Sequence, residues 1–173
     1  MGRYLRIMTA LRSITGFCLT AMCALAVLTM ATAPSPAKAQ LREVPYWAAL
    51  RFDRVFMRVG PSQEYKIDWV YKRKGLPVKV VRVRESWRLV EDPEGVRGWI
   101  ASSQLTPTRG TVVIGEGAIE LRESADRGSA LRWRAEPGVV AKLLRCREDR
   151  CEIDVTGRVG WVDQDRLWGA GEP

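Results

Sequence analysis

Short aliphatic runs separated by tight turns dominate the chain beyond residue 45. Residues 78–83 (VKVVRV) and 139–144 (VVAKLL) are such runs, and turns at 92–95 and 156–157 lead into further apolar stretches. Short apolar or alternating segments between turn residues are typical of β-strands. No window of a dozen residues in this region keeps a helical apolar stripe. The pattern therefore predicts an all-β fold built as a small barrel or sandwich.

Two places break the strict alternation of apolar and polar residues. The doubled aliphatics Val80-Val81 and Leu143-Leu144 put two neighbouring apolar side chains where only one can face a given side of a sheet. A strand that bends from one sheet to the other accommodates such a doublet, as barrel corners require. We therefore predict a bent strand at each doublet.

The chain repeats itself at a spacing of about 63 residues, a signal of duplicated modules. GLPVKVVRVRE at 75–85 is answered by GVVAKLLRCRE at 138–148, and RGWI at 97–100 by VGWV at 159–162. Trp69 is answered by Trp133. Two copies are too few for a solenoid, so each copy is expected to be a compact module, at residues 40–107 and 110–173. The boundary falls in TPTRG at 106–110, because Pro107 cannot continue a strand.

The first 39 residues have the features of a secretory signal peptide. A basic start is followed by an almost wholly apolar stretch at 14–33 and by Ala37-Lys38-Ala39, a small-x-small cleavage pattern. A permanent membrane anchor is the alternative, since the apolar stretch nearly reaches the length of a bilayer span. Cleavage after Ala39 is the preferred interpretation, which predicts export to the periplasm or full secretion, with no stable membrane span afterwards.

Removal of this segment changes the charge. The chain has 28 Lys and Arg against 20 Asp and Glu, and 28 less the four basic residues of the leader gives 24 against 20. A mild positive charge does not argue for nucleic acid, which we do not expect as a partner.

Cys146 and Cys151 are the two of the four cysteines that lie beyond the leader. In an oxidising compartment a disulfide between them is the expected state, with two free buried thiols as the alternative. No metal site is predicted, because the chain has no histidine and two thiolates do not complete a tetrahedral shell. A redox pair is disfavoured, because the C-x₄-C spacing differs from C-x-x-C.

Alignment of the two copies places Cys146 opposite Val83 and Cys151 opposite Trp87. These positions flank one hairpin tip. We therefore expect an apolar clamp of Val83 and Trp87 in the first copy, replaced by the disulfide in the second.

The motifs resemble a known family. MRVGPS at 57–62 is similar to the opening motif of bacterial SH3-like (SH3b) domains, and Gly98-Trp99 and Gly160-Trp161 to the strand that ends them. The resemblance covers nearly all of residues 45–168 and extends to tandem exported SH3-like proteins of Gram-negative bacteria. It implies two half-open barrels in tandem and a binding role toward cell-wall material or protein partners. In the second copy LRESA at 121–125 lacks the glycine and the proline, which weakens the expectation of a ligand there.

The candidate binding residues cluster before the central loop of the first copy. Tyr65, Trp69 and Tyr71 could form an aromatic platform for a sugar ring or peptide. Arg73 belongs to the adjoining basic cluster, which also contains Lys66, Lys72 and Lys74. The alternative is that the tryptophans at 69 and 133 are packed in the core or between modules.

The combined pattern predicts an exported, non-catalytic binding protein of the cell envelope that recognises a peptide, a protein or peptidoglycan. No catalytic residue or cofactor is predicted, because histidine is absent and the thiols are expected to be paired. A structural scaffold or accessory subunit is the first alternative. A small wall hydrolase that uses carboxylates is a remote one.

Overall fold

The structure is a computed structural model, and it describes residues 42–173. The predicted signal peptide and its cleavage site lie outside the described residues. The predicted all-β class is confirmed, since the described chain forms two antiparallel sheets of seven strands each, with only two short 3₁₀ turns.

The first sheet is formed by the strands of the first copy. In chain order the strands are β1 (Tyr46–Leu50), β2 (Val55–Arg58), β3 (Ile67–Tyr71), β4 (Pro77–Arg84), β5 (Trp87–Glu91), β6 (Arg97–Ala101) and β7 (Leu105–Thr106). Their order across the sheet is β3-β2-β6-β5-β4-β1-β7, so β3 and β7 are the edge strands.

The second sheet repeats this arrangement. Its strands are β8 (Gly110–Val113), β9 (Ile119–Arg122), β10 (Leu131–Ala135), β11 (Val140–Arg147), β12 (Arg150–Val155), β13 (Arg158–Asp163) and β14 (Leu167–Trp168). The order β10-β9-β13-β12-β11-β8-β14 matches the first sheet strand for strand. Each sheet encloses a separate apolar core, so the two copies are two small barrels.

Both predicted strand bends occur at the aliphatic doublets. The pairing of β4 with β5 shifts register between Val80 and Arg82, and the pairing of β11 with β12 shifts between Leu143 and Arg145. A β-bulge of this kind adds one residue to one strand and bends it. The same strands pair with β1 and β8 over their first halves, so the bend carries each of them between two parts of its barrel.

The glycine of each Gly-Trp motif allows two strands to cross at close range. A Cβ atom on Gly98 would overlap the Met57 side chain of β2, and one on Gly160 would overlap Leu121 of β9. Met57 and Leu121 are fully buried in their cores. The motif therefore marks the point where the last long strand packs against the second strand of the same barrel.

The disulfide is present, but the expected clamp of Val83 and Trp87 is wrong. Cys146 is paired with Cys151, with a Cα–Cα distance of 4.0 Å. The equivalent pair across the first hairpin is Val83 with Arg88, whereas Trp87 faces Arg84. Both hairpin tips contain two residues, so the copies align without a shift, and a slip of one residue moves a side chain to the other face.

The true counterpart of Trp87 is Arg150, and both side chains are buried. Arg150 donates from Nη1 to Asp163 Oδ1 and from Nη2 to the carbonyl oxygen of Trp161, each at 3.1 Å. A buried guanidinium in one barrel thus occupies the place of a buried indole in the other.

Aromatic and polar contacts join the two barrels. The rings of Trp47 and Trp168 pack edge to face, with centroids 4.7 Å apart. The indole nitrogen of Trp47 donates to the carbonyl oxygen of Gly171 at 3.1 Å. Gly110 lies so close to the carbonyl of Gly75 that a Cβ at residue 110 would overlap it.

Candidate functional site

The β2–β3 hairpin of the first barrel carries four exposed apolar side chains, which we call the hairpin surface. Its members are Val59, Tyr65, Ile67 and Trp69. Trp69 is 59% exposed and Tyr65 is 48% exposed. Such a concentration of large apolar groups on one exposed hairpin of a small barrel is a candidate binding surface.

Hydrogen bonds shape the loop of this hairpin. Arg58 Nη1 donates to the carbonyl oxygen of Tyr65, and the amide of Ser62 donates to the carbonyl of Gly60 at 3.0 Å. The ring of Tyr65 lies over Gly60, where a Cβ would fall 2.6 Å from the ring carbons. The glycine of the MRVGPS motif is therefore needed for the tyrosine to lie against the backbone.

Trp69 lies on β3, an edge strand of the first sheet, and faces Met57 of β2. The alternative interpretation, in which Trp69 and Trp133 are packed in the core or between the barrels, is wrong, since both indoles are largely exposed. The aromatic pair between the barrels is instead Trp47 with Trp168, which the sequence did not single out.

Tyr71 lies in the core and not on the hairpin surface. It is 6% exposed, and its hydroxyl donates to Asp92 Oδ2 at 2.8 Å. Burial, followed by the hydrogen bond to Asp92, raises the pKa of Tyr71 above its ordinary value. Asp92 Oδ1 accepts the amides of Glu94 and Val96 at 3.1 and 2.8 Å. Tyr71 therefore anchors the turn between β5 and β6.

Arg73 makes a contact between the barrels. Its Nη1 donates to the carbonyl oxygen of Gly138 in the second barrel at 2.7 Å. The other basic residues of the predicted cluster, Lys66, Lys72 and Lys74, are exposed. Of the four predicted site residues, the structure thus brings only Tyr65 and Trp69 to the same exposed hairpin.

The equivalent hairpin of the second barrel has the same backbone support and a different surface. Arg122 Nη1 donates to the carbonyl of Ser129, as Arg58 does to that of Tyr65. Glu123 and Ser129 occupy the places of Val59 and Tyr65, and Glu123 forms an ion pair with Arg132.

Trp133 of this second hairpin is 43% exposed, with the guanidinium of Arg158 5.2 Å from its ring centroid. A cation over an indole covers one face of the ring. The second hairpin is therefore more polar and its indole is partly covered.

Sequence reasoning missed Val59 and Ile67, although a signal was present. Ile67 is two residues from Trp69 on the same strand, and Val59 directly follows the arginine of the MRVGPS motif. Large apolar residues at positions flanking a turn are the signal that identifies them.

Among residues 42–173, no helix is long and apolar enough to span a bilayer. The same stretch has no group of three or more Cys, Asp or Glu side chains placed to hold a metal ion.

Both antiparallel barrels have a Gly-Trp strand, and the first also has the Arg-Val-Gly-Pro-Ser turn. The family model of the bacterial SH3 domain matches the chain twice, at residues 52–107 and 116–169. The chain belongs to the bacterial SH3 domain family, and both of its barrels are SH3-like. Domains of this family are generally non-catalytic modules that bind the cell wall.

The chain is also similar to two solved structures from Trichomonas vaginalis. NlpC2 matches with 11% identity and a TM-score of 0.33, over 74% of this chain and 49% of that one. NlpC1 matches with 14% identity and a TM-score of 0.31, over 80% of this chain and 50% of that one. The chain spans about half the length of each. A comparison with curated protein sequences found no match.

Proposed function

We propose that this chain is an exported, non-catalytic binding protein of the cell envelope whose first barrel holds a peptide, protein or peptidoglycan ligand on the hairpin surface. The observation that carries the proposal is the exposure of both Trp69 and Tyr65 on one hairpin. Sugar rings and extended peptides both pack against flat aromatic faces. Burial of the indole and additional polar contacts then stabilise the complex.

The polar rim and the backbone edge of the hairpin surface suit such a ligand. Lys66 and Lys72 flank it together with the carboxylates of Glu64 and Asp68, and all four are exposed, so the rim of the surface is polar and carries no net charge. The outer edge of β3 has no neighbouring strand within the described sheet. An extended peptide laid beside β3 could therefore pair with its free amides and carbonyls while its side chains contact Trp69.

The disulfide supports a location outside the cytoplasm. Cys146 and Cys151 are bonded, and such bonds persist in oxidising compartments such as the periplasm. Domains of this family usually act in extracellular or periplasmic space. Together with the predicted signal peptide, these features support the proposed periplasmic localisation or secretion.

A pull-down on purified peptidoglycan tests the proposal. The protein is expressed from its full sequence in a Gram-negative host and recovered after export, and its retention is compared with that of the Trp69→Ala variant. The expected result is retention that falls at least tenfold in Trp69→Ala and is unchanged in the matched control Trp133→Ala. Equal retention of both variants and the parent would show that the hairpin surface does not bind peptidoglycan.

A second variant tests the same surface without removing an indole. Val59→Glu combined with Tyr65→Ser gives the first hairpin the residues of the second. We expect this double variant to fold normally and to lose retention. Full retention would contradict the role assigned to the hairpin surface.

A structural scaffold or accessory subunit remains the second candidate function. It is favoured by the contact of Trp47 with Trp168, which fixes the barrels against each other as a rigid adaptor requires. A stable complex recovered from envelope extracts, with the tryptophan fluorescence unchanged across a panel of wall fragments and peptides, would support this function over ligand capture.

A further inference from the structure

A cleft of about 460 Å³ separates the two barrels on one side of the molecule. The end of β1 and the turn between β3 and β4 form one wall, and β11 with the turn after β12 forms the other. Its inner lining includes the buried Ala49, Leu50 and Ala141 and the half-buried Gly75 and Val140. The volume lies within the range of small-molecule sites, and the small side chains leave room for a ligand of dipeptide size.

Positive charge at the entrance of this cleft is largely uncompensated. Arg51, Lys74, Arg109 and Lys142 line it and are exposed, and within residues 42–173 none of them forms an ion pair with a carboxylate. Arg109 instead donates to the carbonyl oxygens of Gly169 and Gly171. One carboxylate, Asp154, also lines the cleft; it faces Lys142 across β11 and β12 and accepts the amide of Gly157 at 2.6 Å. The lining therefore has four cations and one carboxylate, which leaves the cleft with a net positive charge.

We propose that this cleft binds the terminal carboxylate of a short peptide with small apolar side chains. The carboxylate would lie at the entrance, where an ammonium or guanidinium group forms charge-assisted hydrogen bonds with it. The small apolar side chains would fill the inner part, against the buried Ala49 and Ala141. The inference is independent of the hairpin surface and does not use Trp69.

Two sources could supply this chemistry, namely the D-amino acid termini of wall stem peptides and the L-amino acid termini of proteins. N-acetyl-D-Ala-D-Ala and N-acetyl-L-Ala-L-Ala are therefore the two probes, each compared with its terminal amide. We would titrate them into the exported, ¹⁵N-labelled protein and follow the amide resonances. A preference for the D-form assigns the site to stem peptides, and a preference for the L-form assigns it to protein termini.

Shifts confined to Gly75, Val140 and Ala141, with the amide at least tenfold weaker than the acid, are the expected result. Lys142→Gln and Arg51→Gln should each weaken binding roughly five- to tenfold, as loss of one charged hydrogen bond does. The matched control is Lys72→Gln, an exposed lysine two positions from Lys74 that does not line the cleft.

Equal binding of acid and amide would overturn the inference, as would an equal loss in Lys72→Gln and Lys142→Gln. The Trp69→Ala variant separates this inference from the proposed function. Unchanged titration in Trp69→Ala supports a separate site in the cleft. Loss of the shifts in that variant would place the ligand on the hairpin surface instead and refute the cleft site alone.

Discussion

The two barrels share one topology. They differ in the exposed side chains of one hairpin, which is β2–β3 in the first barrel and β9–β10 in the second. In the first barrel Val59 and Tyr65 are apolar and exposed, whereas Glu123 and Ser129 take their places in the second. Arg58 and Arg122 nevertheless make the same bond to the opposite backbone of their hairpins. The comparison shows that the backbone of this hairpin depends on the arginine, so its outer side chains can change without loss of the fold.

The barrels also stabilise their cores differently. The first uses the buried pair of Tyr71 and Asp92, and the second has Ala135 in the position of Tyr71. The second in turn has the disulfide and the buried Arg150. The two barrels thus have different buried polar groups, and only the second has a disulfide.

Substitution of the glycine in each Gly-Trp motif should lower the free energy of unfolding of the two barrels by different amounts. Gly160→Ala places a methyl group against Leu121 Cβ and the Leu121 backbone, whereas Gly98→Ala meets Cγ and Sδ of the Met57 side chain, which can rotate where a Cβ atom cannot. We expect a loss of about 3 kcal/mol for Gly160→Ala and about 1 kcal/mol for Gly98→Ala. Urea unfolding with hydrogen exchange for each barrel measures both. Equal losses would show that Leu121 yields as easily as Met57.

Loss of the disulfide should affect the second barrel only. Cys146→Ala with Cys151→Ala removes the link and should lower the free energy of unfolding by about 2 kcal/mol, the chain-entropy value for so short a loop. Exchange rates of the β4–β5 amides in the first barrel serve as the internal control and should not change. Faster exchange in both barrels would mean that the second barrel supports the first.

Removal of the Tyr71 hydroxyl should affect the first barrel and its response to alkaline pH. Tyr71→Phe leaves Asp92 buried without one partner, which costs about 1–2 kcal/mol near neutral pH. Because folding raises the pKa of Tyr71, its contribution is complete below the ordinary value of 10.0 and is lost as pH rises above it. Urea unfolding between pH 7 and 11 should show a fall above pH 10 in the parent that is smaller in Tyr71→Phe. Parallel curves would contradict the assigned hydrogen bond.

The smallest effect is expected for the exposed indoles. Trp69→Ala and Trp133→Ala should each change the free energy of unfolding by no more than about 0.5 kcal/mol, because both side chains are largely in water. Acrylamide should quench the fluorescence of Trp69 more than that of Trp133, since Arg158 covers one ring face. Arg158→Gln should raise the quenching of Trp133 toward that of Trp69. If acrylamide quenches Trp133 as strongly as Trp69 in the parent protein, Arg158 does not cover the indole ring of Trp133.

Local patterns were sufficient to predict the all-β class, the repeat and both strand bends. The doublets at 80–81 and 143–144 identified the bulges because a doubled apolar residue has few other solutions in a two-sided strand. The missing glycine and proline at 121–125 correctly pointed to the divergent hairpin of the second barrel.

Positions that depend on distant parts of the chain could not be predicted in this way. Tyr71 and Trp69 are two residues apart on one strand, yet only Tyr71 is buried, and its hydroxyl bonds to Asp92, 21 residues away. Arg73 finds its partner 65 residues away in the other barrel. The Val83–Trp87 clamp failed for another reason, since an error of one residue in aligning the hairpins exchanges the two faces of a strand.

The contact between Gly110 and the Gly75 carbonyl has a consequence for how this protein can evolve by recombination. A replacement second barrel would have to begin with a residue that lacks a side chain and would have to present an indole to Trp47. Barrels taken from unrelated tandem proteins would rarely meet both conditions. The two halves of this gene should therefore be inherited together, and domain shuffling should exchange them as a pair.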